Sequence, residues 1–470
     1  MIHKENCTIY TPVEYANTLL DSIGYESKNS IYDKKILEFS CGEGSIIIEI
    51  LKRYVSSCKL EGFTDEMIVN GILKNIVAYE IDELIALKCE NNINEFLSKE
   101  FQIFNVNYKV YVCDFLLTSI QDKFDYVVGN PPYISYHALM SNPEKYSLDN
   151  LRETFECCAN GSFDYAYPFI EKTLSVLSKQ GKISLLIPNS IFKNKSAKKL
   201  RSIIQYHTVE IYDYAKVRVF SDALISTAII VLHDVIDKTD YIVYHHNNKK
   251  TKLKKNKVFQ DKWVFIDENF KGKDRFGDLF RATFSCATLC NEAFVINDPE
   301  LYERDLLKIT GSPKSLKRGL KEFIIYPYKV VDNELTRISE ITLSSDYPNI
   351  YNHLLQYKDK LLKTDKDKTI NWFEYGRTQG LRLFNVKKVL MSPIVTNVIH
   401  LYEMEEDSIP YSGIVISPIK GNDLNIAIKI LESERFMRYV EKYGTSRSGT
   451  SIQVGTSMIE DYLFDLEDII

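Results

Sequence analysis

Ile36-Leu37-Glu38-Phe39-Ser40-Cys41-Gly42-Glu43-Gly44 is the stretch whose reading decides the fold. Ile36–Phe39 has the composition of a short buried strand, and from about Ser45 to Tyr54 apolar residues recur at helical spacing. A strand, a glycine turn and a helix in that order open a β-α unit. Two glycines at such a turn let the backbone bend sharply and approach a ligand closely. The dinucleotide fingerprint is Gly-x-Gly-x-x-Gly, and here Gly42-x-Gly44 lacks the third glycine. Alone, an ordinary strand-to-helix turn explains the run as well as a cofactor loop does.

The same alternation continues beyond the loop's helix. Ile76–Tyr79, Lys109–Val112 and Phe124–Val128 read as strands, the last ending at Gly129-Asn130-Pro131-Pro132-Tyr133. Tyr165–Leu177 has helical periodicity and stops before Gly181; Ile183–Ile187 is a strand, Ala197–Tyr206 a helix, and Val209–Tyr214 and Ile225–Leu232 strands. This pattern predicts an α/β domain with a mostly parallel sheet. Beyond Leu232 the alternation fades, and the lysine-rich His245–Lys257 reads as a linker or an exposed hairpin. A chain of 470 residues exceeds one ordinary core, so two domains are expected, 1–240 and a mixed α+β domain at 241–470. No internal repeat or low-complexity tract interrupts them.

Composition excludes several classes. With 45% hydrophobic and 26% charged residues the chain is globular rather than disordered. Met1–Asn6 has no apolar h-region, and apolar runs such as Ala223–Leu232 fall short of the ~18–20 residues of a membrane span, so a cytoplasmic, nucleoid-associated protein is expected. Nine cysteines without framework spacing suit a reducing compartment. Neither Cys286 with Cys290 nor Cys157-Cys158 has a second His/Cys pair at zinc spacing, so no metal site is expected. The net charge of −5 decides little, because positive charge is local. Lys249, Lys250, Lys252, Lys254, Lys255 and Lys257 form one run, Lys193, Lys195, Lys198, Lys199 and Arg201 a second, and Lys314, Lys317, Arg318 and Lys321 a third. The first run is read either as a phosphate-gripping segment or as a solvated hairpin.

Strand-end acids narrow the chemistry. Glu80, at the end of the second strand, can accept hydrogen bonds from both ribose hydroxyls of a nucleoside cofactor. It lies roughly 40 residues after the glycines rather than the ~20 of dinucleotide folds, and a helical segment at Thr64–Leu73 accounts for the excess. Asp114-Phe115 ends the third strand likewise; the carboxylate can accept from an adenine amino group while the ring stacks. A plain strand-end charge explains either acid taken singly.

The decisive element is Asn130-Pro131-Pro132-Tyr133. An exocyclic amino nitrogen attacks poorly, because its lone pair is delocalised into the ring. The Asn130 amide oxygen and the Pro131 carbonyl can both accept from that NH₂, pulling the nitrogen toward tetrahedral geometry. The prolines fix φ and so hold the carbonyl direction. Tyr133 offers a flat face to a base.

On these residues the chain resembles the N6-adenine DNA methyltransferases of restriction-modification systems, the gamma order typified by the TaqI enzyme. The resemblance covers most of residues 8–235 and, more loosely, the rest. It implies a Rossmann-like methyltransferase domain using S-adenosylmethionine (SAM) and a target-recognition domain, with double-stranded DNA lying between the two. It implies that Thr11-Pro12 helps to close over the cofactor. The cofactor loop is then Glu38 to Gly44, with Ser40, Cys41 and Gly42 inside it. Glu80, followed by Ile81, holds the ribose, Asp114 the adenine with Phe115 beside it, and Phe169 walls the adenine pocket. Asn130–Tyr133 is the catalytic tetrapeptide, Asn130 also bordering the cofactor, and Phe220 in Val219-Phe220-Ser221-Asp222 sandwiches the flipped base from the other face. The loop departs from the commonest family pattern at one position and keeps its glycines. Trp372-Phe373-Glu374-Tyr375-Gly376-Arg377-Thr378-Gln379-Gly380 and Ser446-Arg447-Ser448-Gly449 look like turns of TaqI-type specificity domains.

Such a tetrapeptide also occurs in glutamine methyltransferases acting on release factors and in some RNA methyltransferases. The former are much shorter, lack a long C-terminal domain, and have no Thr-Pro about 30 residues ahead of the glycine loop. A catalytically inactive DNA-binding specificity subunit is a third reading, and intact Asn130 and Tyr133 with both acids argue against it. A monomer on DNA is expected. No motif for strand cleavage is visible, so a separate restriction endonuclease and an orphan epigenetic role are both compatible with the residues.

Overall fold

The computed structural model describes residues 10–469 except 105, 143–145, 216, 221–224, 236–238, 248, 266–269, 332–333, 365–369, 378–380, 382–384 and 447–450. It divides into two compact units, Met1–Asp267 with Thr445–Thr450, and Glu268–Gly444 with Ser451–Ile470.

The first unit is built on one nine-stranded sheet. Strands β1 (Ile36–Glu38), β2 (Ile76–Glu80), β3 (Tyr111–Val112), β4 (Phe124–Gly129), β5 (Leu177–Pro188), β6 (Thr208–Asp213), β7 (Thr227–His233), β8 (Tyr241–His246) and β9 (Lys249–Lys254) lie in the order β3-β2-β1-β4-β5-β7-β6-β8-β9. From β3 to β5 all neighbours run parallel; β7 is antiparallel to β5 and β6, β8 is parallel to β6, and β9 returns antiparallel. The expected α/β fold with a mostly parallel sheet is what the chain adopts.

Helices cover both faces: α1 (Val13–Ile23), α2 (Ser45–Leu60), α3 (Asp65–Asn75), α4 (Glu83–Phe101), α5 (Tyr136–Met140), α6 (Leu148–Thr154), α7 (Ala166–Ser175) and α8 (Lys198–Ile204). Successive strand residues feed opposite cores, as the pleat requires. Ile36, Val128 and Ile229 pack with Leu19, Ile50 and Ile93 of α1, α2 and α4. Their neighbours Leu37, Val127 and Ile230 pack with Ile170, Leu200 and Ile204 of α7 and α8. Burial on both sides is why these strands read as unbroken apolar runs.

Two expectations shift in detail. The third strand is Tyr111–Val112 rather than Lys109–Val112. The lysine-rich segment is a hairpin, β8 and β9, but it extends the large sheet instead of linking units, so the first unit runs to Asp267 rather than to about 240. A boundary read from fading periodicity misses this, because β9 is an exposed edge strand whose lysines give no core signal.

Chain order reverses at β1, which pairs with β2 on one side and with β4 on the other, in the register Ile36↔Tyr126. Open α/β sheets bind ligands at such a switch point, outside the strands' carboxyl ends.

The second unit is mixed α and β. Phe280–Phe284, Ile414–Pro418, Lys388–Met391 and Leu401–Met404 form an antiparallel sheet in that order. Ala427, Ile430, Phe436 and Val440 of two following helices complete its core. A separate cluster gathers Phe294, Ile324, Tyr375 and Phe373. Among the described residues no helix is long and apolar enough to cross a membrane, and no group of three or more His, Cys, Asp and Glu could hold a metal.

Candidate active site

A cavity of about 480 Å³ opens at the carboxyl ends of β1 to β4. Its size is in the range of small-molecule pockets, roughly 300–1,000 Å³. Gly42 (φ +55°) and Gly44 (φ +101°) take left-handed conformations that disfavour a side chain. A Cβ on Gly44 would stand 3.0 Å from Cys89 Sγ. Gly44 caps α2, whose first residues Ser45 and Ile46 reach the cavity. A helix start of this kind favours an electron-rich ligand, because its first N–H groups have no partner within the helix.

Glu80 ends β2 with its carboxylate engaged. Gly42 N–H donates to Oε2 at 3.0 Å, and Ile81 and Asp82 N–H donate to Oε1 at 2.9 and 3.1 Å. The acid thus ties the glycine loop to the β2 terminus and keeps acceptor capacity toward the cavity it lines. Asp82, also in the lining, caps α4 through Leu84 and Ile85 N–H.

Asp114 organises the turn after β3, its Oδ1 accepting from Leu116 N–H at 2.8 Å. Lys172 of α7 reaches under that turn, donating to the Leu116 and Thr118 carbonyls at 2.9 and 2.7 Å, with Nζ 5.0 Å from the Phe115 ring centre. Burial lowers its pKa. Phe115 and Phe169 stack at 5.9 Å and 15°, and Phe39 packs against both. Strand end and helix together make a flat apolar wall.

The tetrapeptide lies opposite. Gly129 precedes it because a Cβ there would meet the Phe39 ring at 2.6 Å. Asn130 Nδ2 donates to Thr11 Oγ1 at 3.2 Å, and Ser40 Oγ donates to the Asn130 carbonyl at 3.0 Å. The first contact orients the side-chain amide and the second holds the main chain, yet Asn130 Oδ1 is buried without a hydrogen-bond partner. An unpaired buried acceptor costs about 1–3 kcal/mol unless a ligand donates to it. Tyr133 donates its hydroxyl to Leu186 O at 3.0 Å, which anchors the ring at the cavity's edge. Burial holds that hydroxyl well above the usual tyrosine pKa.

Glu38 is 1% exposed, with Oε2 also unpartnered. Burial raises its pKa well above the usual carboxylate range, and the residue lines the cavity. The Cys41 thiol is pushed up by the neighbouring Cys89 and by burial.

Of the residues expected from sequence, Thr11, Glu38, Ser40, Cys41, Gly42, Glu80, Ile81, Asp114, Phe115, Phe169 and all of Asn130–Tyr133 line this one cavity. Three do not. Pro12 starts α1, and Gly44 caps α2 beneath the surface. Phe220 is 3% exposed in the core, its ring 6.3 Å from Tyr133 and tilted by 59°. The two rings are adjacent and meet at an angle rather than as parallel plates. Ser221, Asp222, Thr378–Gly380 and Arg447–Gly449 lie outside the described residues. Trp372 donates to Glu340 at 2.8 Å, and Tyr375 is buried in the second unit.

Sequence reading missed Tyr10, Tyr146 and Tyr165. Tyr10 donates to Glu43, which pairs with Lys88 at 2.6 Å. Tyr165 N–H donates to Ile134 O at 3.0 Å, next to Tyr133, and its ring packs on Tyr146 and Phe169. The available signal was the four-residue step from Tyr165 to Phe169 on one helix face. Asp164, just before it, accepts from Ala166 N–H at 3.0 Å. Burial raises its pKa to about 6.

Comparison with known proteins places this geometry. Residues 39–220 match the model of the Eco57I restriction-modification methylase family. The Type II methyltransferase M.BstVI of Geobacillus stearothermophilus is 26% identical over 314 residues, 64% of this chain and 54% of that protein. M.HincII of Haemophilus influenzae is 23% identical over 359 residues, 70% of this chain and 66% of that one. The chain therefore spans about half to two thirds of these relatives' length. In fold it is similar to the Type IIL restriction-modification enzyme MmeI, solved in complex with DNA, with a TM-score of 0.64 at 11% identity over 96% of this chain and 65% of that one. The Type ISP enzyme LlaGI gives a TM-score of 0.52 at 13% identity over 88% of this chain and 49% of that one. By these matches residues 39–220 are similar to the methylases of the Eco57I restriction-modification family, and the chain is similar to methyltransferases of restriction-modification systems.

Proposed function

We propose that the chain transfers the methyl group of SAM to N6 of an adenine turned out of double-stranded DNA, in a restriction-modification or epigenetic system. The observation that carries this reading is the buried, unpartnered Asn130 Oδ1 at the edge of the cavity, its amide oriented by Thr11 and its main chain held by Ser40. It is an acceptor waiting for a donor, and an amino group supplies one.

SAM supplies an electrophilic methyl group when bound. Glu80 can accept from its ribose, Asp114 from its adenine amino group, and the Phe115–Phe169 wall can take the face of that ring. Asn130 Oδ1 and the Pro131 carbonyl accept from the target amino group and localise its lone pair. Tyr133, its hydroxyl already spent on Leu186, presents only its ring to the base. The target base must leave the duplex, because inside it the amino group is paired and stacked. Positioning and hydrogen-bond polarisation are then the main catalytic terms. The second unit is the candidate reader of DNA sequence.

Labelled-methyl transfer tests the reading. With duplex DNA, RNA and release-factor protein offered side by side, label is expected in DNA, as N6-methyladenine. Label in RNA or in glutamine moves the substrate, and SAM binding without transfer leaves a DNA-binding subunit. Methylome sequencing of an expressing host then gives the recognition sequence.

A further inference from the structure

The sheet ends in an uncompensated cationic edge. β9 places Lys249, Lys250, Lys252 and Lys254 in solvent, and six of the nine residues 249–257 are lysine. None of these four makes an ion pair within the described residues, although acidic residues outnumber basic ones, 64 to 59. The second basic run behaves otherwise: Lys198 pairs with Asp261 at 2.5 Å and Lys199 with Glu156 at 2.6 Å.

The hairpin's position matters more than its charge. β8 is parallel to β6, which through β7 and β5 runs parallel to β4. The hairpin turn after His246 therefore lies at the same edge of the sheet as Asn130 after β4. Lys249 and Lys250 pair with His246 and His245 at that edge, Lys252 lies one pleat below, and Lys254, opposite Tyr241, lies at the far end. Five strand-to-strand steps separate β4 from β9. At about 4.8 Å each that is about 24 Å. It matches about seven base pairs at about 3.4 Å per pair.

We propose that Lys249, Lys250 and Lys252 form a phosphate rail that holds the DNA backbone about seven base pairs to one side of the target adenine. The inference rests on the DNA-methyltransferase reading above. The rail carries no sequence information, since phosphate contacts supply affinity and register alone. The competing use of edge lysines is to block strand-to-strand aggregation. That use needs no placement toward the cavity and predicts no salt-dependent binding.

The test uses the full chain carrying K249Q, K250Q and K252Q together, with K254Q as a distant control. The triple variant is expected to lose affinity for cognate and scrambled duplexes by the same factor. Its log–log salt slope should flatten by about 0.9 per lost phosphate contact. K254Q should keep the wild-type slope, and a triple arginine variant should restore it. Single-turnover methylation at saturating DNA should be unchanged. Trimming the duplex to about three base pairs on one side of the adenine should erase the difference between wild type and variant, while trimming the other side should preserve it. An unchanged slope in the triple variant, with wild type still methylating DNA, overturns the rail alone and assigns the lysines to guarding the sheet edge. A difference that survives both trims overturns the one-sided placement. Wild type that methylates no DNA overturns the functional reading instead.

Discussion

Asn130 and Glu80 divide the site's labour, and substitution separates them. Asn130→Ala removes an acceptor that meets its donor only when substrate is present. It should lower kcat by roughly 10²–10³, the scale for losing one preorganised polar group. SAM and DNA binding should change little, and wild-type turnover in the variant would refute the role. Glu80→Ala instead frees three backbone N–H groups that the carboxylate now gathers. SAM affinity measured by calorimetry should fall by about 1.5–3 kcal/mol per charged hydrogen bond lost, while non-specific DNA binding persists. Unchanged SAM affinity would reduce Glu80 to a loop tie. At this scale much was legible, because the glycine loop, both acids and the tetrapeptide are short contiguous signals at strand ends. Tyr10 and Tyr165 were not, since a lone tyrosine near a helix start looks like core. Phe220 was read from its place in the chain as a base-facing ring, and in the fold it is buried beside Tyr133 at an angle.

Helix α7 couples chemistry to stability. Asp164, two residues ahead of the helix and partly buried, has a pKa raised from 3.8 to about 6, a difference worth about 3 kcal/mol. Burial favours the neutral acid, so the stabilisation is fully present below pH 3.8 and is lost as pH rises through about 6. Asp164→Asn keeps an oxygen for Ala166 N–H and cannot ionise. Chemical unfolding of both proteins should show the variant gaining on wild type between about pH 4 and pH 7, and nothing further above. A gap that does not vary with pH would mean that the carboxyl is solvated. The same helix carries Lys172, and Lys172→Met should loosen the Asp114–Thr118 turn and weaken SAM binding without touching the Asn130 step. Limited proteolysis with and without SAM would show it. Elements of the first unit were legible because doubly buried strands read as unbroken apolar runs and amphipathic helices repeat about every 3.6 residues. The hairpin's allegiance was not, because hydrogen bonding to β6 leaves no trace in local periodicity.

For the molecule as a whole, legibility fell with the sequence distance between partners. In the second unit Phe280–Phe284 pairs with Ile414–Pro418, and no local pattern announces so remote a neighbour. The first unit has one such pairing of its own, the Ile36↔Tyr126 register of β1 with β4. Closing an excursion of about 90 residues costs chain entropy before any contact rewards it, so this pair should close late in folding. The late seam is also the mouth of the cavity, where Ser40 meets Asn130. A ligand seated across a seam that is still open at the transition state can act only on the way out. SAM at 100 times its Kd should stabilise the native state by about 2.7 kcal/mol. In stopped-flow experiments that gain should be expressed almost wholly as slower unfolding, with the refolding rate left where it was. Cofactor supply in the cell would then set how long a finished molecule survives and have no influence on how quickly a new one forms.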